Sequence, residues 1–290
     1  MIFRETCGTV QRNAPYGRKS DAHAYSETVW VDTIDRERDF MSQIEQIKML
    51  KDAVARSRRL CVFTGAGISC PSGIPDFRSA TGLYREKSDT GRSPEEIISH
   101  SFFTANPAAF FTFYREKMVY PNAAPNAAHT YFAELEQTGK RVSIVTQNID
   151  GLHQSAGSTE VYELHGSVHR NFCTHCGKFY DLAYLLRADG VPRCVDDGAV
   201  VKPDVVLYEE TLDETVVKGA LDAISNADTM VVVGTSLVVY PAAAYVRHFR
   251  GDTLALINLT PTAYDSEADI AIHDDIVRVI GWLREGGALD

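Results

Sequence analysis

The stretch Val161-Tyr-Glu-Leu-His165-Gly166 ends a short apolar run on an imidazole followed by a glycine. Histidine can take up or release a proton near neutrality. The glycine after it lets the backbone turn sharply and come close to a ligand. Alone, a histidine at a strand end is more often a satisfied structural residue, so the pair gains meaning only from its neighbours. One neighbour is the apolar run 60–63, which leads into Thr64-Gly-Ala-Gly67-Ile-Ser69. A strand, a glycine turn and a helix start present backbone N–H groups to a pyrophosphate. Cys70 stands where the dinucleotide fingerprint has its third glycine, so an ordinary dehydrogenase site is poorly supported. The loop 73–79 follows, with a carboxylate, an aromatic plate and a guanidinium in succession at Asp76, Phe77 and Arg78. Another apolar run, 142–146, opens onto Gln147, Asn148 and Asp150, polar groups placed where ligands of open α/β sheets bind.

Cys173, Cys176, Cys194 and Asp197 have the spacing C-x2-C-x17-C-x2-D. This is the pattern of a ribbon that closes a tetrahedral zinc site, with a carboxylate in the fourth position. A carboxylate can ligate zinc but is harder than thiolate. A structural zinc is therefore expected here, against the alternative of a ribbon without metal held by packing.

These groups need elements to carry them. Apolar residues spaced by three or four predict a helix from Met41, through Ile44, Ile47, Leu50 and Val54. Further helices are expected over about 107–120, 126–138, 214–225, 241–249 and 276–284, and strands over 60–63, 142–146, 161–164, 230–233 and 254–258. Strands alternating with helices predict an α/β protein with a parallel sheet covered on both faces. Residues 1–40 lack apolar periodicity and are expected to form a poorly ordered extension.

The chain has 290 residues, 44% hydrophobic and 23% charged, with a formal net charge of −10. That balance argues against nucleic acid as a partner, since phosphate-backbone binding needs clustered lysine and arginine. No apolar run approaches the ~20 residues of a membrane span. With no secretory signal, a cytoplasmic protein is expected, its cysteines thiols or metal ligands rather than disulfides.

The blocks 65–69, 73–79, 146–150 and 164–166, the cysteine ribbon, 202–207, 234–236 and 257–258 resemble, in order, those of the sirtuins, the NAD-dependent protein lysine deacylases. The resemblance implies a catalytic domain over 41–290, with a Rossmann-like parallel-sheet domain and a smaller helical plus zinc-ribbon domain, the ribbon inserted at about 167–203. It implies NAD and structural zinc as cofactors and an acetyl-lysine protein or peptide as partner. His165 would be the general base toward a ribose hydroxyl. Asn148 and Asp150 would hold the nicotinamide end, with Ile149 lining it and Phe77 shielding the reacting carbon. Ala66, Cys70, Asp76, Arg78 and Gln147 would contact the cofactor, and Gly234, Thr235, Ser236, Asn258 and Ile276 its adenosine end. Val205, Val206, Leu207 and Tyr208 would pair with substrate backbone. The chain departs from the family pattern at Asp197, at Cys70, where Thr or Ser is common, and at Glu209, where many members have glycine. Thr112, rather than a tyrosine, lies three residues before Arg115, so the Tyr-x-x-Arg reader of succinyl-lysine is not evident and acetyl is the expected acyl group. The alternatives left open are a protein ADP-ribosyltransferase and a non-catalytic NAD-binding protein on the same scaffold.

Overall fold

The central apolar runs become strands of one sheet because each alternates between two buried faces. β1 (Arg59–Thr64) sends Leu60 and Val62 to one side and Cys61 and Phe63 to the other, and β7 (Thr229–Val233) divides Val231 and Val233 from Met230 and Val232 in the same way. The structure, a computed structural model, describes residues 43–76 and 91–285. The expected N-terminal extension, and with it Phe77 and Arg78, lies outside the described residues.

The remaining strands of this sheet are β2 (Arg141–Thr146), β3 (Val161–Glu163), β8 (Thr253–Ile257) and β9 (Ile270–Ile272). Their order is β3-β2-β1-β7-β8-β9, and every pairing is parallel. The direction of winding reverses between β1 and β7. The crevice at that reversal, beyond the carboxyl ends of the strands, is where open α/β sheets bind ligands. One face packs on α1 (43–56), α5 (Ala127–Gln137) and α9 (Ile276–Glu285), the other on α8 (Glu214–Asn226) and a 3-10 helix at Ala242–His248.

A second sheet of three antiparallel strands, β5-β4-β6, is built from β4 (Gly166–Cys173), β5 (Phe179–Asp181) and β6 (Val201–Val205). It shares a separate core with α2 (Pro94–Ile97), α3 (His100–Ala105), α4 (Pro107–Lys117) and α7 (Leu182–Arg187). Phe103, Phe110, Phe111 and Tyr114 meet there in edge-on and stacked pairs with centroids 5.0–6.5 Å apart. The aromatics of 107–120 are thus packing groups, worth more than their buried area through ring geometry. Arg115 fastens α4 to the ribbon, donating to the carbonyls of Leu185, Ala188 and Gly190 at 2.6–3.3 Å.

Two expected α-helices are 3-10 helices instead. The turn after β1 continues as Ala66–Ser72, which follows Gly65 and contains Gly67 and Pro71, so an α-helical bond is lost where helix propensity is already low. The segment at Ala242–His248 follows Pro241 and has no side-chain cap. The short elements α2, α3, α6 (Leu152–Ala156) and β9 go unseen in the sequence because three to six residues carry no readable period. Among the described residues no helix is long and apolar enough to cross a membrane.

Under the crevice lie two buried imidazoles, His129 and His153, with ring centroids 4.9 Å apart. Asn126 N–H donates to His129 Nδ1, so its proton sits on Nε2, which has no hydrogen-bond partner among the described residues. Burial pushes the His129 pKa down to about 4 and that of His153 well below its ordinary value, the neighbouring imidazole adding to the latter. Both groups are therefore neutral in the folded chain, while the unfolded chain takes up their protons below about pH 6.5. Their stabilising contribution is complete above that pH and falls toward pH 4. Thermal melting followed over this range should show a steeper acid loss than in a His153→Gln variant.

Candidate active site and metal corner

The crevice is assembled by two glycine turns that touch backbone to backbone. Gly67 donates its N–H to the Gly234 carbonyl at 2.8 Å, and a Cβ on Gly67 would lie 2.7 Å from the Gly234 Cα. Gly234 has φ +60°, and a Cβ there would reach within 2.4 Å of the Ile68 nitrogen. Only hydrogen fits at either position, and the β1 and β7 ends are drawn together into a cradle with little side chain in it. Gln147 Nε2 donates to Thr235 Oγ1 at 3.1 Å, joining the β2 end to the same cradle.

Beside it, a cavity of about 170 Å³ is lined by Ala66, Gln147, Asn148, Ile149 and Asp150, among others. Asn148 is buried and donates from Nδ2 to Ser69 Oγ at 3.0 Å. Ser69 donates in turn to Asp150 Oδ2 at 2.7 Å, while Asp150 Oδ1 accepts the Leu152 N–H and starts α6. Asn148 and Asp150 are thus held by a relay with Ser69, which sequence reasoning missed. Its signal was present, since a serine two residues past Gly67 falls on the same turn. His169, also missed, lines the cavity and donates from Nε2 to the Asp150 carbonyl at 3.0 Å.

His165 follows β3. Its Nδ1 lies 2.9 Å from the Gln147 carbonyl oxygen. A carbonyl can only accept, so Nδ1 carries the proton and Nε2 is left as the basic nitrogen. Burial pushes the His165 pKa below its ordinary value, opposed by the bond to Gln147. The imidazole is accordingly neutral at pH 7 and able to accept a proton. Gly166 has φ +75°, and a Cβ there would sit 1.8 Å from the Asp204 carbonyl oxygen, so the glycine lets β4 pass directly against β6.

The stretch following β6 is extended but already bonded on one edge. Val206 N–H donates to the His165 carbonyl at 3.0 Å, and Tyr208 exchanges hydrogen bonds with Ile98 and His100. Val205 accepts from Lys202 Nζ, and Leu207 N–H donates to Glu210 at 2.9 Å. Val205 and Leu207 side chains are buried in the smaller core, whereas Tyr208 is exposed. Arg170 lies between the two sheets, donating to Glu163 at 2.6 Å and to Asp204 at 2.7 Å.

The sequence-derived residues are not all in one place. Ala66, Gln147, Asn148, Ile149, Asp150, Gly234 and Thr235 gather around the crevice. Cys70 is on the exposed side of the same turn, its thiol 3.6 Å from the Ala66 carbonyl and its pKa raised by partial burial and by Asp76. Ser236 is exposed past the β7 end, and Asn258, beyond β8, donates to the Thr260 carbonyl at 2.8 Å. The Ile276 side chain is buried in the core, leaving its backbone at the start of α9 as the part that faces outward.

At the far end of the smaller sheet, one ligand atom from each of Cys173, Cys176, Cys194 and Asp197 lies within 4.8 Å of the others. Cys173 Sγ is 3.4 Å from both Asp197 oxygens, and the sulfurs of Cys176 and Cys194 are 3.6 Å apart without a disulfide. A tetrahedron with Zn–S of ~2.3 Å and Zn–O of ~2.0 Å has S–S edges of about 3.8 Å and S–O edges of about 3.5 Å, so the four groups fit zinc. The Ala199 N–H bonded to Asp197 holds its carboxyl down to about 2, keeping it anionic. With four protein ligands the corner is a closed, structural one.

A doubly wound parallel sheet with a glycine cradle at its reversal, joined to a metal ribbon through a histidine turn, defines an enzyme class that acts on a nucleotide. The Sir2 family model matches residues 65–241. The NAD-dependent protein deacetylase of Clostridium perfringens is 55% identical over 238 residues, 82% of this chain and 98% of that protein. A solved Sir2 structure with p53 peptide and NAD+ superposes with a TM-score of 0.73 at 37% identity, covering 84% of this chain and 99% of that one. Another, with deacetylated p53 peptide and 3'-O-acetyl ADP-ribose, has a TM-score of 0.75 at 37% identity, over 83% and 98%. The chain belongs to the Sir2 family.

Purified protein should carry about one zinc per chain. Replacing the carboxylate by thiolate, Asp197→Cys, should slow metal loss to a chelator, and Asp197→Ala should speed it and lower the melting temperature. Metal analysis after timed chelation distinguishes the three.

Proposed function

We propose that this protein is an NAD-dependent protein lysine deacetylase that transfers the acetyl group to ADP-ribose and releases nicotinamide. The observation that carries the reading is the fixed tautomer of His165, whose Nδ1–H is bonded to the Gln147 carbonyl at the polar β2 end, whose backbone carbonyl accepts the Val206 N–H, and whose Nε2 is left as the basic nitrogen. NAD, when bound, supplies the activated ribose carbon that accepts the acyl oxygen.

The chain's residues do the rest. The Gly67–Gly234 cradle, with Ala66, Gln147 and Thr235, would hold the phosphates and adjoining ribose, because backbone can approach there without side-chain clash. Asn148 and Asp150, locked by Ser69, would orient the nicotinamide end, and Ile149 would keep water from it. Such positioning is where most of the rate would arise, since two reactants must be held in line in a dry site. His165 Nε2 would take a proton from a ribose hydroxyl. Cys70, Asp76, Phe77, Arg78, Ser236, Asn258 and the backbone at Ile276 belong to the same reading as cofactor contacts. Val205–Tyr208 would receive the substrate as an added strand along the edge that Lys202 and Glu210 occupy in the free chain. Arg115, spent on three carbonyls, has no side chain to offer an acidic acyl group, which supports acetyl. The catalytic domain in this reading runs over 41–290, with the ribbon inserted at about 167–203, and the protein works in the cytoplasm, where its thiols stay reduced.

Incubation with NAD and an acetyl-lysine peptide should yield nicotinamide, free lysine and acetyl-ADP-ribose in equal amounts. His165→Ala should lower turnover by about 10²–10⁴-fold, the usual worth of a positioned base. Turnover in the wild type should stay level through neutral pH and fall only as acid protonates His165, below the ordinary histidine range. Product formation without NAD, or ADP-ribose attached to protein with no lysine freed, would overturn the assignment.

A further inference from the structure

Glu209 is, among the described residues, one of two non-glycines with a backbone in the left-handed region, at φ +76°. That conformation is unfavourable for a side-chain-bearing residue and persists only where its surroundings impose it. Here the surroundings are its own carboxylate contacts. Ser101 donates to Glu209 from both its N–H and its hydroxyl, each at 2.9 Å, pinning the side chain across the start of α3. Both donors are neutral. The next residue is treated differently, for Glu210 pairs with Lys202 at 3.0 Å and meets His100 at 2.8 Å. Among the described residues no lysine or arginine forms an ion pair with Glu209. The chain therefore fixes an exposed, uncompensated negative charge three residues beyond Val206, whose N–H is bonded to His165.

The surface continues in the same character. From Glu210 a groove of about 550 Å³ runs between α8 and the Pro241 turn, with Leu212, Val217 and Leu221 as its floor. Glu214 and Asp222 stand on its rim with a single cation, Lys218. A peptide added along Val205–Tyr208 must pass Glu209 as it leaves the strand.

We propose that Glu209 is a specificity-determining residue that selects acetyl-lysine substrates carrying lysine or arginine beside the modified residue. This rests on the deacetylase reading above and goes beyond it by naming the flanking chemistry. A carboxylate held in one place attracts a passing cation without first losing side-chain freedom, and it repels an acidic flank. Ser101 holds the carboxylate at the start of α3 while the residue stays exposed; a glycine there would relieve the backbone and remove the charge.

The test compares acetyl-lysine peptides that differ only in having Lys, Gln or Glu at the positions flanking the acetyl-lysine, with wild type, Glu209→Gln and Glu209→Gly. Wild type should favour the Lys-flanked over the Glu-flanked peptide by about five-fold or more in kcat/KM at low salt, chiefly through KM. The ratio should shrink as salt is raised to ~0.5 M, where an exposed charge is screened. Glu209→Gln keeps an acceptor for Ser101 and should bring the ratio close to one, and Glu209→Gly should do the same whatever its melting temperature. An unchanged ratio in Glu209→Gln, or no preference in wild type, overturns the proposal while leaving the deacetylase assignment standing. If none of the three peptides is turned over with NAD, the assignment itself fails and this inference with it.

Discussion

His165 is joined to both halves of the molecule by its own atoms, and most of the site follows from that. Its ring proton goes to the Gln147 carbonyl at the end of a parallel strand, and its carbonyl receives the Val206 N–H from the antiparallel sheet. Each bond is an ordinary one, worth about 1 kcal/mol net. Together they fix which nitrogen is basic and how far that nitrogen lies from the strand beside it. Gly166 makes the arrangement possible, since any Cβ there would collide with the Asp204 carbonyl. Arg170 then spans the same seam, gripping Glu163 from one sheet and Asp204 from the other.

The polar residues around the crevice are nearly all committed. Ser69, Asn148 and Asp150 form a closed relay, and Thr64, Thr146 and His153 form another beneath it, with Thr64 Oγ1 2.8 Å from Thr146 Oγ1 and 3.1 Å from His153 Nε2. Bonded networks of this kind hold side chains in one arrangement before any ligand arrives, although His153 Nδ1 has no partner among the described residues. The cost is carried by the buried imidazoles, which must remain neutral.

Much of this was legible in the sequence, and for identifiable reasons. Strands buried on both faces read as unbroken apolar runs, so β1, β2, β7 and β8 were found with ends off by at most one residue. The glycine turn, the polar end of β2, His165-Gly166 and the cysteine spacing are local patterns whose chemistry requires those residue types. What escaped was non-local. Nothing in the sequence shows that Gly67 rests on Gly234, that Ser69 reaches Asn148, or that Arg115 is consumed by the carbonyls ending α7. The nature of the helix after β1 also escaped, because Pro71 and the adjoining glycines trade an α-helix for a tighter one. Asp197 was read as a fourth ligand by spacing alone, and the four groups gather in a cluster that fits zinc.

β4 begins at Gly166, directly after the histidine, and ends at Cys173, the first ligand of the metal corner. Eight residues therefore link the two, but not as a straight rod: the register with β6 breaks between Ser167 and Asn171, and β5 pairs only with Arg170–Phe172. An irregularity of this kind bends and twists a strand, so loosening of the ribbon would be partly taken up in that bend before it reached the proton acceptor.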